Sequence, residues 1–480
     1  MELNEIIAQR KEKLKSLEAK GVSVYKNTPG ESMAIARVLK DFQEGKIVSL
    51  SGRIMAKRLH GKVLFLDLKD SSAKIQLYFK ADFIGQDSFN MLEDIDIADI
   101  INVKGELFKT HSGEPTVKVE EFMLLAKSLR PLPEKWHGLK DVELRYRQRY
   151  LDLITNEEVK QVFLLRSGII KALRNFLDAQ GFLEVETPMM HPIPGGAAGR
   201  PFKTHHNEYD TDLYLRIAPE LYLKELIVAG LDKVYEINRS FRNEGVSTKH
   251  NPEFTMLEAY CAYANYEDMM QLCQDLIISV AKEVKAATSF IYQGKTVDLT
   301  PPWQRHSFEK IVKEKFDISP SDMPEVMLKK LHAKGFAKEA SRLSRSQVAK
   351  IIEDILEEDL KANPTFVTDY FTNLCPLAKT KKDNPLISER FELYVGGLEI
   401  GNAYSELNDP LEQKRRFEEE IRELSPDEKK TLDDDYILAL EHGMPPAGGL
   451  GIGIDRLVML LADQPSIRDV ILFPLLRPEK

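Results

Sequence analysis

The order of apolar and polar positions divides the chain into a strand-rich part and a longer mixed part. Residues 1–45 carry helix-like charge patterning, with Gly21 as a stop. Strict alternation follows. In Val63–Leu68, Leu64, Leu66 and Leu68 share one face and Phe65 and Asp67 the other, and in Lys74–Phe79, Ile75, Leu77 and Phe79 oppose Gln76 and Tyr78. Ile100–Gly105 and Pro115–Val119 continue the series. Further on the period changes. Thr155-Asn156-Glu157-Glu158 reads as a capping box for a helix carrying Val159, Val162, Phe163, Ile169, Ile170, Leu173, Phe176 and Leu177 at helical spacing and ending at Gly181. Phe182–Met190 reads as a strand ending at Pro188. A second helix is expected over Glu267–Val284, introduced by Asn265 and buried through Met270, Cys273, Ile277 and Val280. Residues 300–385 look mostly helical and polar, without a motif, as an insertion would. Ser388–Leu407 alternates like a strand pair with a turn at Gly396-Gly397, and Gly448–Leu461 passes from glycines into a helix.

Strands at the spacing of the first part suit a barrel of about five strands such as the OB fold, whose open face often binds single-stranded nucleic acid. Phe65, Gln76 and Tyr78 occupy the non-aliphatic faces, where an aromatic ring stacks on a base or is covered by another domain. Ser128–Asp141 holds two prolines and Trp136-His137-Gly138, which mark an extended connector. The expected organisation is a helical extension (1–45), a barrel (46–135), a linker (136–155) and a larger domain (156–480).

At 480 residues the chain exceeds one ordinary core. No apolar run approaches the roughly 20 residues that cross a bilayer, and the amino terminus lacks the apolar core of a secretory signal, so a cytoplasmic protein is expected. Three scattered cysteines and ten histidines without HExxH spacing give no disulfide framework or transition-metal site. A net charge of −9 argues against indiscriminate nucleic-acid binding and confines any RNA contact to local patches. Two basic clusters, one of Arg53, Lys57, Arg58 and Lys62 and one of Arg145, Arg147 and Arg149, read as solvated surface or as such patches.

Two phosphate-binding motifs fail on inspection. Gly294-Lys295-Thr296 resembles the end of a P-loop, but Ser289 stands where its first glycine belongs. Gly449, Gly451 and Gly453 lack dinucleotide-fold spacing. Phe241–Glu258, FRNEGVSTKHNPEFTMLE, offers another route. Arg242 and His250 supply positive charge for phosphates, Phe254 a ring for a purine, and Glu244 an acceptor for its exocyclic amine.

These residues resemble motif 2 of the class II aminoacyl-tRNA synthetases. Gly181–Met190 resembles motif 1, and Gly449–Leu460 resembles motif 3 with its arginine at Arg456. Arg130–Pro133 with Arg145–Ile154, Ile193–Phe202, Arg216–Lys224 and Leu398–Pro410 narrow the resemblance to lysyl-tRNA synthetases over nearly the whole chain except residues 300–385. It implies an α+β chain: an N-terminal OB-fold barrel followed by an antiparallel-sheet catalytic domain with flanking helices. It implies ATP bound bent between Phe254 and Arg456, with Glu244 at the amine, Arg242 at the α-phosphate and His250 at the γ-phosphate. Glu392 and Glu399 would hold Mg2+, a hard cation that prefers oxygen ligands. Glu258 and Glu406 would meet the lysine ε-ammonium, Tyr260 and Tyr404 its stem, and Glu220 and Gly196 its α-amino group, with Asn402 close by. Phe65, Gln76 and Glu121 would contact the anticodon of tRNA(Lys), and motif 1 would build a homodimer.

The carboxylates make independent sense for lysine, since a buried ammonium needs paired, hydrogen-bonded acids. Two positions depart from the common pattern. Lys249 stands where arginine is frequent, and Tyr404 where phenylalanine is usual. The alternatives are a paralogue that lysylates another acceptor, which the barrel disfavours, and a non-catalytic RNA-binding module, which the retained Arg242, Glu399 and Arg456 disfavour.

Overall fold

The computed structural model describes residues 3–27, 30–133, 141–197, 199–335, 348, 351–352, 362–423 and 432–479. The chain forms two compact units, Met1–Lys140 and Asp141–Lys480.

In the first unit five strands close into a barrel: Ile47–His60, Val63–Lys69, Lys74–Lys80, Pro115–Ala126 and Ile100–Lys109, in that order around it. Alternation fixes which side chains enter. Leu64, Leu66, Leu68, Ile75, Leu77 and Phe79 are all buried in one cluster, joined by Leu17 of the Leu3–Ala19 helix. Asp67 is buried too, on the opposite face, because Arg58 pairs with it at 2.5 Å and Lys74 at 3.3 Å. Neighbouring basic residues are likewise internal ties. Arg53 donates to the Ala98 carbonyl and Lys57 to those of Leu92 and Ile95.

In the second unit, eight strands among the described residues make one sheet, in the order Gln304–Ser307, Thr365–Thr368, Arg390–Val395, Leu398–Ser405, Ala447–Gly453, Glu253–Ala262, Lys233–Phe241 and Leu183–Glu184. The central pairs are antiparallel, and the parallel pairs lie at the two ends. The Glu157–Ala179, Tyr266–Lys285 and Ile454–Leu461 helices pack their apolar faces into the same core as the sheet. Asn265 caps the Tyr266–Lys285 helix in a capping box with Asp268.

Four expectations change. Thr155 caps nothing; it ends the Arg149–Thr155 helix, its hydroxyl donates to the Leu151 carbonyl, and Asn156 starts the next helix. Phe182–Met190 is not one strand: Leu183–Glu184 joins the main sheet, and Met190 pairs with Leu215 in a separate three-stranded sheet. Arg149, taken as surface, is buried against Asp152 at 2.7 Å and donates to the Leu472 and Arg468 carbonyls. The 300–385 stretch is not solely helical: Gln304–Ser307 and Thr365–Thr368 join the main sheet, each too short for alternation to reveal. Trp136-His137-Gly138 and residues 336–347, 349–350 and 353–361 lie outside the described residues. Helices at Val142–Arg147 and Arg149–Thr155 occupy the described part of the 136–155 linker. Gly294 is a hairpin turn residue with positive φ between Ser289–Tyr292 and Lys295–Asp298, in keeping with the rejected P-loop. No helix among the described residues is long and apolar enough to cross a membrane.

Candidate active site

The middle of the sheet is a floor made of glycine. Gly449 and Gly451 lie on Ala447–Gly453 with partners on both sides: Tyr260 and Tyr404 across from Gly449, Glu258 and Asn402 across from Gly451. A Cβ at Gly449 would come within 2.0 Å of Glu406 Oε1 and 2.6 Å of the Tyr260 ring. The glycines therefore leave space for the larger neighbours to converge. Above them lies a cavity of about 670 Å³, lined by Gly196, Glu220, Arg242, Glu258, Tyr260, Glu392, Glu399, Asn402, Tyr404 and Glu406 among others.

One end of this cavity is acidic. Glu220, Glu258 and Glu406 are all buried. The Tyr260 hydroxyl donates to Glu258 at 3.1 Å and the Tyr404 hydroxyl to Glu220 Oε1 at 2.5 Å. Burial and the charge of Glu220 push Glu258 up to about 8. Burial also raises Glu406 well above the carboxylate range, against the opposing pull of Lys224. Burial and Glu220 keep the Tyr260 and Tyr404 phenols protonated. Gly196, with φ +84°, has its α-carbon against Glu220, whose Cβ would lie 3.1 Å from an added one.

Lys224 was missed by sequence reasoning. On the Glu220–Val228 helix it is fully buried, 2.5 Å from Glu220 Oε1 and paired with Glu406 Oε2. Its only sequence signal is the i,i+4 relation to Glu220, which on most helices is a surface pair.

The other end of the cavity is bipolar. Arg242 leaves the Lys233–Phe241 strand where its amide donates to the Pro252 carbonyl, closing the loop, and its guanidinium lies 5.2 Å from the Phe254 ring centroid. Burial lowers its pKa while Glu244, Glu399 and Glu258 oppose the shift. Arg456, on the first turn of the Ile454–Leu461 helix, donates to Glu399 at 2.8 Å, and its Nη2 is 3.4 Å from His250 Nε2. Tyr370 and Tyr394 donate to Glu392 at 2.6 and 2.5 Å, and Arg390 pairs with it. Burial and the charge of Glu399 raise Glu392, whereas at Glu399 burial is outweighed by Arg456, so its pKa falls. Glu244, His250, Phe254 and Arg456 are not among the residues that line the cavity; Phe254 lies against Arg242, and Arg456 against Glu399 and His250. Lys249 reaches the Gly397 carbonyl at 3.4 Å.

On the barrel, Phe65 stands beside Tyr78 with ring centroids 5.3 Å apart, Thr116 donates to Gln76 at 3.1 Å, and Glu121 is exposed, 3.7 Å from Lys104.

Residues 141–477 match the model of the family described as tRNA synthetases class II (D, K and N). The chain belongs to that family. Residues 48–125 of this class II synthetase match the model described as OB-fold nucleic acid binding domain. The chain is 54% identical to the lysine–tRNA ligase of Carboxydothermus hydrogenoformans, covering 99% of each. It is 53% identical to that of Pelotomaculum thermopropionicum, over 100% of this chain and 96% of the relative. With the Moorella thermoacetica protein of the same name it shares 52% identity over 99% of each. This class II synthetase carries its glycine-floored cavity on the strands that bear motifs 2 and 3.

Proposed function

We propose that this chain is a lysine–tRNA ligase, which joins L-lysine to AMP from ATP with release of pyrophosphate and then transfers lysine to the 3′ end of tRNA(Lys). The observation that carries this reading is the convergence of Glu220, Glu258 and Glu406 with two tyrosines at one end of a cavity whose other end holds Arg242 and, through Glu399, Arg456. An acidic, tyrosine-lined end accepts a long cationic side chain, since a desolvated ammonium needs carboxylate partners.

The lysine carboxylate attacks the α-phosphorus in line, and pyrophosphate leaves. No protein nucleophile is needed. Arg242 neutralises charge growing on the α-phosphate, and Phe254 and Arg456 hold the adenine, with Glu244 at its amine and His250 toward the γ-phosphate. Such electrostatic positioning carries most of the catalysis in phosphoryl chemistry. Glu258 and Glu406 bind the ε-ammonium, Tyr260 and Tyr404 flank the stem, and Glu220, Gly196 and Asn402 orient the α-amino end, which sets the attacking oxygen.

Glu392 and Glu399 fit Mg2+: both are carboxylates lining the cavity, and the charge of Glu399 raises the cost of charging Glu392, which a bound dication would relieve. Bound there, the ion supplies charge neutralisation for the phosphates. The barrel, through Phe65, Gln76 and Glu121, reads the anticodon. The working form is a cytoplasmic homodimer.

Lysine-dependent exchange of pyrophosphate into ATP tests the first step, and charging of tRNA(Lys) the second. Absence of exchange by folded protein refutes the proposal. Exchange without charging of any tRNA would favour a different acceptor.

A further inference from the structure

Three carboxylates share the acidic end of the cavity, and one of this chain's own lysines is buried among them. Lys224 donates to Glu220 Oε1 at 2.5 Å and pairs with Glu406 Oε2, and its ammonium lies 5.4 Å from the Tyr404 ring centroid. Glu406 Oε1, the oxygen facing Gly449, is buried without a hydrogen-bond partner among the described residues. We propose that Lys224 is the positioning residue that sets the selectivity of the pocket for a doubly cationic amino acid: it pairs with Glu220 and Glu406 and directs their remaining oxygens at the substrate. This rests on the reading of the cavity as a lysine pocket.

Charge arithmetic supports the assignment. Glu220, Glu258 and Glu406 carry three negative charges when ionised, and Lys224 cancels one. Two remain for the two ammonium groups of lysine, while the substrate carboxylate is left to Arg242. Without Lys224 the pull that opposes protonation of buried Glu406 is gone. A carboxyl group then presents a donor where the substrate ammonium needs an acceptor. Geometry adds a second element. Lys224 pairs with Glu406 Oε2, which leaves Oε1 without an ion-pair partner, and Tyr404 and Lys224 together occupy Glu220 Oε1.

The test is pyrophosphate exchange by the full chain, with lysine and ATP varied separately, for the unaltered protein, Lys224→Met and Lys224→Arg. Lys224→Met is expected to raise KM for lysine on the order of 100-fold, as loss of one partner from a buried ion pair does, and to leave KM for ATP within about threefold. Lys224→Arg, which keeps the charge, restores most of the lost lysine affinity. If lysine KM stays unchanged in Lys224→Met, or if both KM values rise alike while kcat and the thermal midpoint fall, Lys224 is only structural and the inference is overturned. Should Lys224→Met not fold, Lys224→Gln keeps donors for the carboxylates and removes the charge alone; a selective rise in lysine KM supports the inference and an unaltered one overturns it. Failure of the unaltered protein to exchange pyrophosphate would instead refute the ligase reading itself.

Discussion

Arg456 grips Glu399 twice, its Nη1 donating to the carboxylate at 2.8 Å and to the main-chain carbonyl at 2.9 Å. The helix that begins at Ile454 is thereby tied to the strand next to its own, and Glu399, one of two acids at this end of the cavity, has its pKa lowered. Arg456→Lys keeps the charge and loses the planar fork. In pyrophosphate exchange it is expected to lower kcat/KM for ATP on the order of 100-fold; a loss under about threefold would mean the fork has no role in ATP use.

Glu406→Gln removes a carboxylate from the acidic end while preserving shape. Lysine KM should rise at least about 50-fold with KM for ATP nearly constant, because an uncompensated buried cation costs several kcal/mol. Parallel loss for both substrates would place Glu406 in general architecture instead.

Glu258, pushed up to about 8, holds a proton at neutral pH in the free protein. Lysine binding must displace that proton, so lysine affinity should rise with pH from about 7 and flatten above about 8.5. Calorimetry in buffers of different ionisation enthalpy reads the released proton directly. Folding stability runs the other way. A carboxyl raised in the folded state is protonated there but not in the unfolded chain between the ordinary value of 4.5 and about 8, so its contribution is complete below that window and is lost as pH rises through it. Glu225, raised to about 7 by burial and by Asp435 and Asp433, adds to the same trend. Chemical denaturation of the ligand-free protein at pH 5.5 and 8.5 checks the sign, and Glu258→Gln should flatten the slope.

Gly449→Ala introduces one methyl group 2.0 Å from Glu406 Oε1. Overpacking of this kind costs about 1–3 kcal/mol of stability, and the same methyl group closes the lysine pocket. The thermal midpoint should fall, and lysine KM should rise more than that of ATP. An unchanged lysine KM would show that the floor is not where the substrate lies.

On the barrel, Phe65→Ala removes the ring beside Tyr78. Charging at limiting tRNA should fall about tenfold, within the range of one lost base stack, and pyrophosphate exchange without tRNA should not change.

Local pattern was enough where an element is long and one-sided. The Tyr266–Lys285 helix falls within a residue of its expected ends, and Leu64, Leu66 and Leu68 enter the barrel as their alternation requires. It fails where meaning depends on distant partners. Thr365–Thr368 is a strand only because Arg390–Val395 and Gln304–Ser307 flank it. The candidate site was recognisable through its motifs, but Lys224 was not. In sequence it is one lysine four residues after a glutamate, and only the fold brings Glu406 to its other side. Arg149 escaped for the same reason, its carbonyl partners lying more than 300 positions away. The alternating glycines at 449, 451 and 453 were rejected as a nucleotide motif, and their role as a floor needed the strands on both sides.

Gln304–Ser307 and Thr365–Thr368 run parallel at one end of the sheet, so the chain between them must leave at one end of a strand and return to the other. The strands that open and close that excursion are paired in register, Gln304 with Thr365 and Ser307 with Thr368. Closing such a loop costs entropy that grows only logarithmically, about 0.6 kcal/mol for each doubling of its length. Two strands inward from this edge, Arg390–Val395 carries Glu392. This edge is therefore where the architecture can gain residues at little thermodynamic cost, as long as Phe308, Val312, Phe316 and Leu331 stay packed on it, while the strand that holds Glu392 keeps its register.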